Sequence, residues 1–231
     1  MNRARTAAVF APYGIIGLVH LVALAVGAET LSTFTKPLLM PFLLAGLLFA
    51  LPRWRTEVAL LASLALLFSW AGDVGIASPG DVSFLVALGC FLLAHVAYIV
   101  VFLRKLRMRR VPLWGAGYLL WWVALVVLLA PYTGALLGPV AVYGLVLVGM
   151  GALALGCNSL VAIGGALFVT SDTLLGLNKF HPGFELWQVD TLIMLTYIAA
   201  QGLIALGVVR WAWARAGSER KPDAAAATGA A

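Results

Sequence analysis

Apolar runs about as long as a membrane is thick recur along nearly all of the 231 residues. A membrane-spanning α-helix needs about 20 mainly apolar residues, because the hydrocarbon core is about 30 Å thick. Eight such runs are separated by short polar connectors, at residues 9–28, 31–51, 57–76, 82–103, 113–130, 135–155, 158–177 and 187–213. Only 10% of the residues are charged, against about 25% in soluble domains. The pattern predicts an all-α polytopic membrane protein with a bundle of eight transmembrane helices.

The short connectors leave no room for a separate soluble domain. We therefore expect a single transmembrane helical domain over residues 1–215. Residues 216–231 are rich in alanine and polar side chains, a composition that predicts a disordered cytoplasmic tail. Both cysteines, Cys90 and Cys157, fall inside apolar runs, where a thiol usually serves as a small buried group.

The basic residues are unevenly divided between the two ends of the predicted bundle. With eight crossings, 13 of the 15 fall on the side of both termini: Arg3, Arg5, Arg53, Arg55, Arg104, Lys105, Arg107, Arg109, Arg110, Arg210, Arg215, Arg220 and Lys221. Only Lys36 and Lys179 remain for the other side. The positive-inside rule then predicts cytoplasmic termini and a multi-pass protein of the cell inner (plasma) membrane.

The net charge of +6 therefore follows from topology, and we expect the lipid bilayer rather than a nucleic acid as partner. The basic connector at 104–110, RKLRMRR, is most simply a topology determinant. Attraction to anionic lipids is the alternative interpretation of this connector.

Two aspartates stand inside apolar runs, near the ends of the third and seventh. An ionisable group within a membrane costs about 3 kcal/mol or more at the centre of a lone helix, so it is rare and usually functional. Asp73 and Asp172 both lie about one turn below the outer end of the bundle, and Lys36 lies at a similar level. The sequence therefore predicts that the two carboxyl groups define one site with Lys36 nearby.

The segments LLFSWAGD and ALFVTSD, which contain these aspartates, are similar and lie four helices apart. They are compatible with a 4+4 internal repeat. Chance similarity between short apolar segments is the alternative.

Other polar side chains in the apolar runs are candidates for positioning water or a headgroup. In the last run, Tyr197 and Gln201 share one helical face, which favours either a site or hydrogen bonding between helices. His95 is either a packed histidine or a site residue, and the same alternatives hold for His20. Asn178 lies just beyond Asp172. No serine-hydrolase elbow, zinc motif or phosphate-binding loop is present, which leaves carboxylate acid/base chemistry or transport.

An ordered set of short motifs resembles the YhhN-like family of integral membrane proteins, which includes the lysoplasmalogenases. The matching segments are TKPLLMP at 35–41, FSWAGD at 68–73, FLLAHVAYIVVF at 91–102, SDTLLGLNKF at 171–180 and TYIAAQGLI at 196–204. The resemblance implies an enzyme that hydrolyses the vinyl-ether bond of a lysophospholipid to a fatty aldehyde and a glycerophospho-alcohol. It also implies an active site formed by Asp73 and Asp172 with Lys36 nearby.

Such a reaction needs one carboxylic acid that protonates the vinyl carbon and one carboxylate that stabilises the cation and guides water, as in glycoside hydrolysis. We assign Asp172 as the proton donor and Asp73 as the base, with the reverse assignment open. No metal or organic cofactor is required. The alternative functions are a proton-coupled transporter or lipid flippase that uses the same Asp/Lys cluster, and a non-catalytic membrane scaffold.

Overall fold

The computed structural model describes residues 3–228, with side chains from 4 to 218. Over this range the chain is helical and contains no strand. The helices are α1 (Arg3–Ala25), α2 (Glu29–Thr35), α3 (Leu39–Ala50), α4 (Glu57–Ile76), α5 (Asp81–Val101), α6 (Gly117–Thr133), α7 (Leu137–Ala154), α8 (Ser159–Phe180) and α9 (Val189–Thr228). In the described part of the chain, seven helical segments are long and apolar enough to cross a membrane. The prediction of an all-α membrane protein is confirmed.

One of these segments, Leu113–Ala154, is 42 residues long, far longer than one crossing needs. It is interrupted at Gly134, whose φ of 52° lies in the left-handed region that favours glycine. Beyond the break α7 packs back along α6, because Trp122 lies against Gly144 and Tyr118 lies against Gly151. The two helices are therefore antiparallel. The number of eight crossings and the cytoplasmic position of both termini stay predictions.

A short 3-10 turn, Lys36–Leu38, joins α2 to α3. The helical segment Glu29–Ala50 thus runs without a gap and is long enough to span a membrane. Lys36 lies seven residues into it, which corresponds to about 10 Å along the axis. The position of Lys36 within the membrane rather than at its surface stays a prediction.

Two helix ends differ from the sequence-based boundaries. The polar loop was predicted to begin at Asn178, whereas α8 continues to Phe180. It ends there because His181 precedes Pro182, and a residue before proline is disfavoured in the α conformation. At the other end of the bundle, α9 extends to Thr228, into the segment predicted to be a disordered tail; residues 229–231 lie outside the described residues. The boundary between domain and tail stays a prediction.

Six helices form a closed ring in the order α4, α5, α7, α8, α9 and α3, with α1 and α6 packed outside it. Glycines allow close approach within this ring. A Cβ atom on Gly164 of α8 would lie 2.9 Å from the carbonyl oxygen of Ala200 on α9. Helices α4 and α8 stand opposite each other in the ring, a placement compatible with a repeat, although the repeat itself stays a prediction.

Candidate functional site

Asp73 on α4 and Asp172 on α8 approach each other across the ring, at the end of the bundle where α4 and α8 finish. The Asp73 side chain is buried, with 4% of its surface exposed, and Asp172 is partly buried. The two carboxyl groups are close enough to interact electrostatically. Lys36 likewise interacts electrostatically with Asp73. The structure therefore brings together the three residues that the sequence placed at one depth.

Each carboxyl group accepts a hydrogen bond from a tyrosine on a neighbouring ring helix. The Tyr197 hydroxyl on α9 donates a hydrogen bond to Asp73 Oδ2, with an oxygen–oxygen distance of 2.8 Å. The Tyr143 hydroxyl on α7 donates to Asp172 Oδ2. These bonds fix the orientation of both carboxyl groups and engage one oxygen of each, which leaves the second oxygen for a ligand or a proton.

Behind Asp73 a buried hydrogen-bond network fixes the direction of the Tyr197 hydroxyl. The Tyr98 hydroxyl donates a hydrogen bond to Gln201 Oε1 at a distance of 2.5 Å, which sets the orientation of the Gln201 amide. Gln201 Nε2 then donates to Ser69 Oγ at 2.9 Å and approaches the Tyr197 hydroxyl oxygen at 3.4 Å. Because that oxygen faces an N–H donor on one side, its own hydrogen is directed to Asp73. Gln201 thus acts on the site through Tyr197.

Asp172 faces a cavity that we call the apolar pocket, lined by residues of α4 to α8. Its polar groups are the Asp172 carboxyl, the Tyr143 hydroxyl, the Trp122 indole and the Lys179 ammonium. The full lining is Ile76, Phe84, Leu88, Phe91, Trp122, Leu125, Val126, Leu129, Val140, Tyr143, Gly144, Leu147, Asp172, Leu175, Gly176, Lys179 and Phe180. A cavity of this composition suits a hydrocarbon chain with a reactive group beside the carboxyl.

Asp73 faces a second cavity, the polar pocket, between α1, α2, α4, α8 and α9. Its lining is His20, Leu24, Ser32, Thr33, Lys36, Pro37, Asp73, Val74, Ala77, Leu175, Asp190, Ile193 and Met194. Leu175 belongs to both linings, so the two pockets are neighbours across one side chain. The pair of aspartates therefore stands at the boundary between an apolar space and a more polar one, whose lining includes His20, Lys36 and Asp190.

Lys36 and Lys179, the two basic residues predicted for the outer side, each line one of the two pockets. The Lys179 Nζ lies 4.3 Å from the centre of the Phe84 ring, a cation–π contact at the edge of the apolar pocket. Lys179 was not among the predicted site residues. Its signal in the sequence was the same as that of Lys36, a basic residue on the side that the positive-inside rule depletes.

Two buried histidines lie close to this region and are in the same tautomer. The Thr35 hydroxyl donates its hydrogen to Leu31 O at 2.8 Å, so it accepts from Nδ1 of His20, also at 2.8 Å. His95 donates from Nδ1 to Phe91 O at 2.6 Å. Each Nε2 is buried and without a hydrogen-bond partner in the described part of the chain.

The other predicted site residues lie at different distances from the aspartates. Tyr197 contacts Asp73 directly. His95 lines neither pocket, and its ring packs edge-on against Tyr143 with centroids 5.5 Å apart. Asn178 is exposed and donates to Asp190 at 3.4 Å instead of facing Asp172. The catalytic and binding roles of these residues stay predictions.

Tyr143, the partner of Asp172, was missed by the sequence analysis. It is the one residue with a hydrogen-bonding side chain in α7, LGPVAVYGLVLVGMGALA. A lone hydroxyl in an apolar helix is a weak signal, because most such groups only bond to neighbouring helices. Within the described residues, no three His, Cys, Asp or Glu side chains are grouped so that they could hold a metal ion.

Comparison with known proteins agrees with the motifs and the fold. A family model described as the YhhN family matches residues 31–208, about three-quarters of the chain. The matched range contains both aspartates, both tyrosines that bond to them and both outer lysines. No curated protein matches the chain. No solved structure matches it either. On the family match, this chain belongs to the YhhN family.

Proposed function

We propose that this protein hydrolyses the vinyl-ether bond of lysoplasmalogen-type lysophospholipids, using Asp172 as acid and Asp73 as base. One observation carries the proposal: two interacting carboxyl groups, each oriented by a tyrosine, stand where an apolar and a polar pocket adjoin. A lysolipid has the matching division into one hydrocarbon chain and one polar headgroup. Its vinyl-ether bond lies where the two parts meet.

In the proposed complex the alkenyl chain occupies the apolar pocket and the glycerophospho group points towards the polar pocket. Lys36, in the lining of the polar pocket, supplies a cation for the phosphate. The carbon of the double bond remote from oxygen belongs to the chain side and therefore lies beside Asp172. The ether carbon lies nearer Asp73. This orientation supports the assignment of acid and base that the sequence suggested.

The first step is proton transfer from Asp172 to the remote vinyl carbon, which converts the C=C bond into an oxocarbenium ion, R–CH₂–CH=O⁺–R′. The Tyr143 hydroxyl stabilises the carboxylate that remains on Asp172. Asp73 stabilises the positive charge from the polar side. The electrostatic roles of the two carboxyl groups parallel those of paired acids in glycoside hydrolysis.

In the second step water adds to the oxocarbenium carbon while Asp73 accepts a proton from it. The product is a hemiacetal, whose hydroxyl proton passes to the ether oxygen as the C–O bond to glycerol breaks, giving an aldehyde and an alcohol. Asp73 returns its proton through water to Asp172. The oxygen of water ends in the aldehyde, and the original ether oxygen stays with the glycerol. The Gln201–Tyr197 network holds Asp73 in the orientation needed for this step.

The experiment is aldehyde release from a lysoplasmalogen by the purified protein and by two variants, Asp73→Asn and Asp172→Asn. General acid–base groups contribute about 10²- to 10⁴-fold, so we expect each variant to lose at least a hundredfold in kcat. Asp81→Asn is the matched control, because Asp81 is an exposed aspartate outside both pocket linings. Full activity in both site variants, or no release by the unaltered protein, overturns the proposal.

Isotope labelling tests the order of bond formation. In D₂O the released aldehyde should carry one deuterium on the carbon next to its carbonyl group. In H₂¹⁸O the glycerophospho-alcohol should contain no ¹⁸O. The corresponding saturated alkyl-ether lysolipid should bind without being cleaved, since it has no double bond to protonate. Cleavage of that lipid would exclude the vinyl protonation step.

A further inference from the structure

A basic pocket lies at the end of the bundle opposite the two aspartates. Its lining is Pro52, Arg53, Thr56, Glu57, Val58, Arg104, Lys105, Trp211, Ala212, Arg215 and Ala216. Glu57 and Asp73 are the two acidic residues of α4 and stand 16 residues apart, which is about 24 Å along the helix axis. The basic pocket is thus separate from the proposed reaction, which makes no use of it.

The backbone at the end of α5 determines which basic side chains enter this pocket. A π-helical turn, Phe102–Leu106, follows α5. From this turn Arg104 and Lys105 both reach Glu57, with nitrogen–oxygen distances of 2.9 and 2.8 Å.

The rest of the connector is fixed elsewhere. The backbone N–H groups of Met108 and Arg109 donate to Gly156 O, at 2.9 and 3.1 Å. Arg109 Nε also donates to Leu155 O at 3.1 Å. The connector at 104–110, which is one continuous basic run in the sequence, is therefore divided into two parts in the structure. Only its first part, with Arg104 and Lys105, faces the basic pocket.

Topology alone does not require this convergence, because the positive-inside rule depends on which loop carries the charges and not on where they point. Four basic side chains from three separate segments line one cavity, and among the described residues Glu57 is the one carboxylate in its lining. Part of its wall is apolar, formed by Val58, Trp211 and Ala212. Basic pockets between helices on the cytoplasmic side of a membrane, where the distribution of basic residues predicts this end of the bundle to lie, are suited to phosphate headgroups.

We propose that the basic pocket binds a phosphate-bearing anion, either the headgroup of an anionic membrane lipid or a soluble phosphate. The Arg104 guanidinium supplies planar paired donors for phosphate oxygens, and Lys105 supplies a point charge. Glu57 forms ion pairs with both Arg104 and Lys105 in this pocket. When the anion binds, its oxygens replace the Glu57 carboxylate as partners of these two side chains.

The test uses the full chain in detergent micelles, with two ligands compared. One arm measures binding of phosphatidylglycerol against phosphatidylcholine by native mass spectrometry, and the other measures binding of inorganic phosphate by calorimetry. A basic residue near an anionic headgroup contributes about fivefold in affinity. We therefore expect Arg104→Gln and Lys105→Gln each to weaken anion binding about fivefold. Arg110→Gln, an exposed residue of the same connector that is not in the pocket lining, should have no effect.

Glu57→Gln separates an anion site from a purely structural ion-pair cluster. It removes the competing carboxylate, so anion affinity should rise at least twofold, whereas a structural cluster would be disrupted. Preference for phosphatidylglycerol without phosphate binding assigns the site to a lipid. Phosphate binding without a lipid preference assigns it to a soluble anion. Absence of both, or weaker binding in Glu57→Gln, overturns the proposal. Aldehyde release plays no part in either arm.

Discussion

At the scale of single residues, Asp73 and Asp172 occupy similar positions near the ends of their helices but have different surroundings. Asp73 is held by Tyr197, whose hydroxyl is in turn oriented by Gln201, in a buried network. Asp172 is held by Tyr143 at the wall of an apolar pocket. Lys36 faces Asp73 from the polar side. In the proposed reaction Lys36 and the Tyr197 hydroxyl stabilise the negative charge on Asp73 against the effect of burial, and Asp172 donates the proton.

Replacing the Tyr143 hydroxyl tests the second of these roles. In Tyr143→Phe the carboxylate left on Asp172 after proton transfer loses its hydrogen-bond donor. A hydrogen bond to a charged group contributes about 1.5–3 kcal/mol, so kcat for aldehyde release should fall about ten- to a hundredfold. Tyr132→Phe is the control, since Tyr132 is an exposed phenol outside both pocket linings. Unchanged kcat in Tyr143→Phe would show that the hydroxyl has no part in the step.

At the scale of helices, the site depends on how closely the ring helices approach one another. Gly164 lies where α8 crosses α9, and a Cβ atom there would lie 2.9 Å from Ala200 O and 2.8 Å from Ile204 Cγ1. The backbone carbonyl cannot move aside without shifting α9. Since α9 carries Tyr197 and α8 carries Asp172, this contact sets the relative position of the two halves of the site.

Gly164→Ala should therefore destabilise the protein. Overpacking a tight contact costs about 1–3 kcal/mol, which should appear as a lower midpoint of thermal unfolding in detergent. Gly149→Ala on α7 is the matched control, because a Cβ atom there meets nothing within 4 Å. Alanine favours the helix over glycine by about 1 kcal/mol, so this control should be neutral or stabilising. Equal midpoints for the two variants would contradict the packing argument.

At the scale of the whole molecule, the two ends of the bundle differ in chemistry. One end carries the aspartates, with Lys36 and Asp190 in the polar pocket. The other carries the basic pocket around Glu57. The antiparallel pair α6 and α7 allows both termini to lie on the basic side. The positive-inside rule then predicts that this side is cytoplasmic and that the proposed active site opens towards the outer half of the membrane.

Cysteine labelling of intact cells tests this orientation. In a variant without Cys90 and Cys157, we expect Glu185→Cys, in the loop between α8 and α9, to react with a membrane-impermeant maleimide. Thr6→Cys and Ser218→Cys, near the two ends of the described chain, should react only after the cells are permeabilised. Labelling of one terminal cysteine without the other would require an odd number of crossings and contradict the eight-helix topology.

The sequence by itself determined the membrane-spanning class, the approximate helix positions, and the common depth of Asp73, Asp172 and Lys36. Those properties follow from hydropathy, charge and residue count, which are local along one dimension. It also singled out Tyr197, because a polar face on a membrane helix is expected to point inward. The sequence did not predict that the Asn178 side chain is exposed, because its direction depends on α8 continuing to Phe180.

Only the tertiary structure decided which helices are neighbours and how each is rotated. The order of the ring pairs Tyr143 with Asp172 and Tyr197 with Asp73, and Leu175 divides the space beside them into two pockets. It also divides the basic connector, so that Arg104 turns towards Glu57. The contact between Tyr197 and Asp73 joins residues 124 positions apart. Such contacts depend on the packing of whole helices, which a pattern of apolar and polar residues along one chain does not encode.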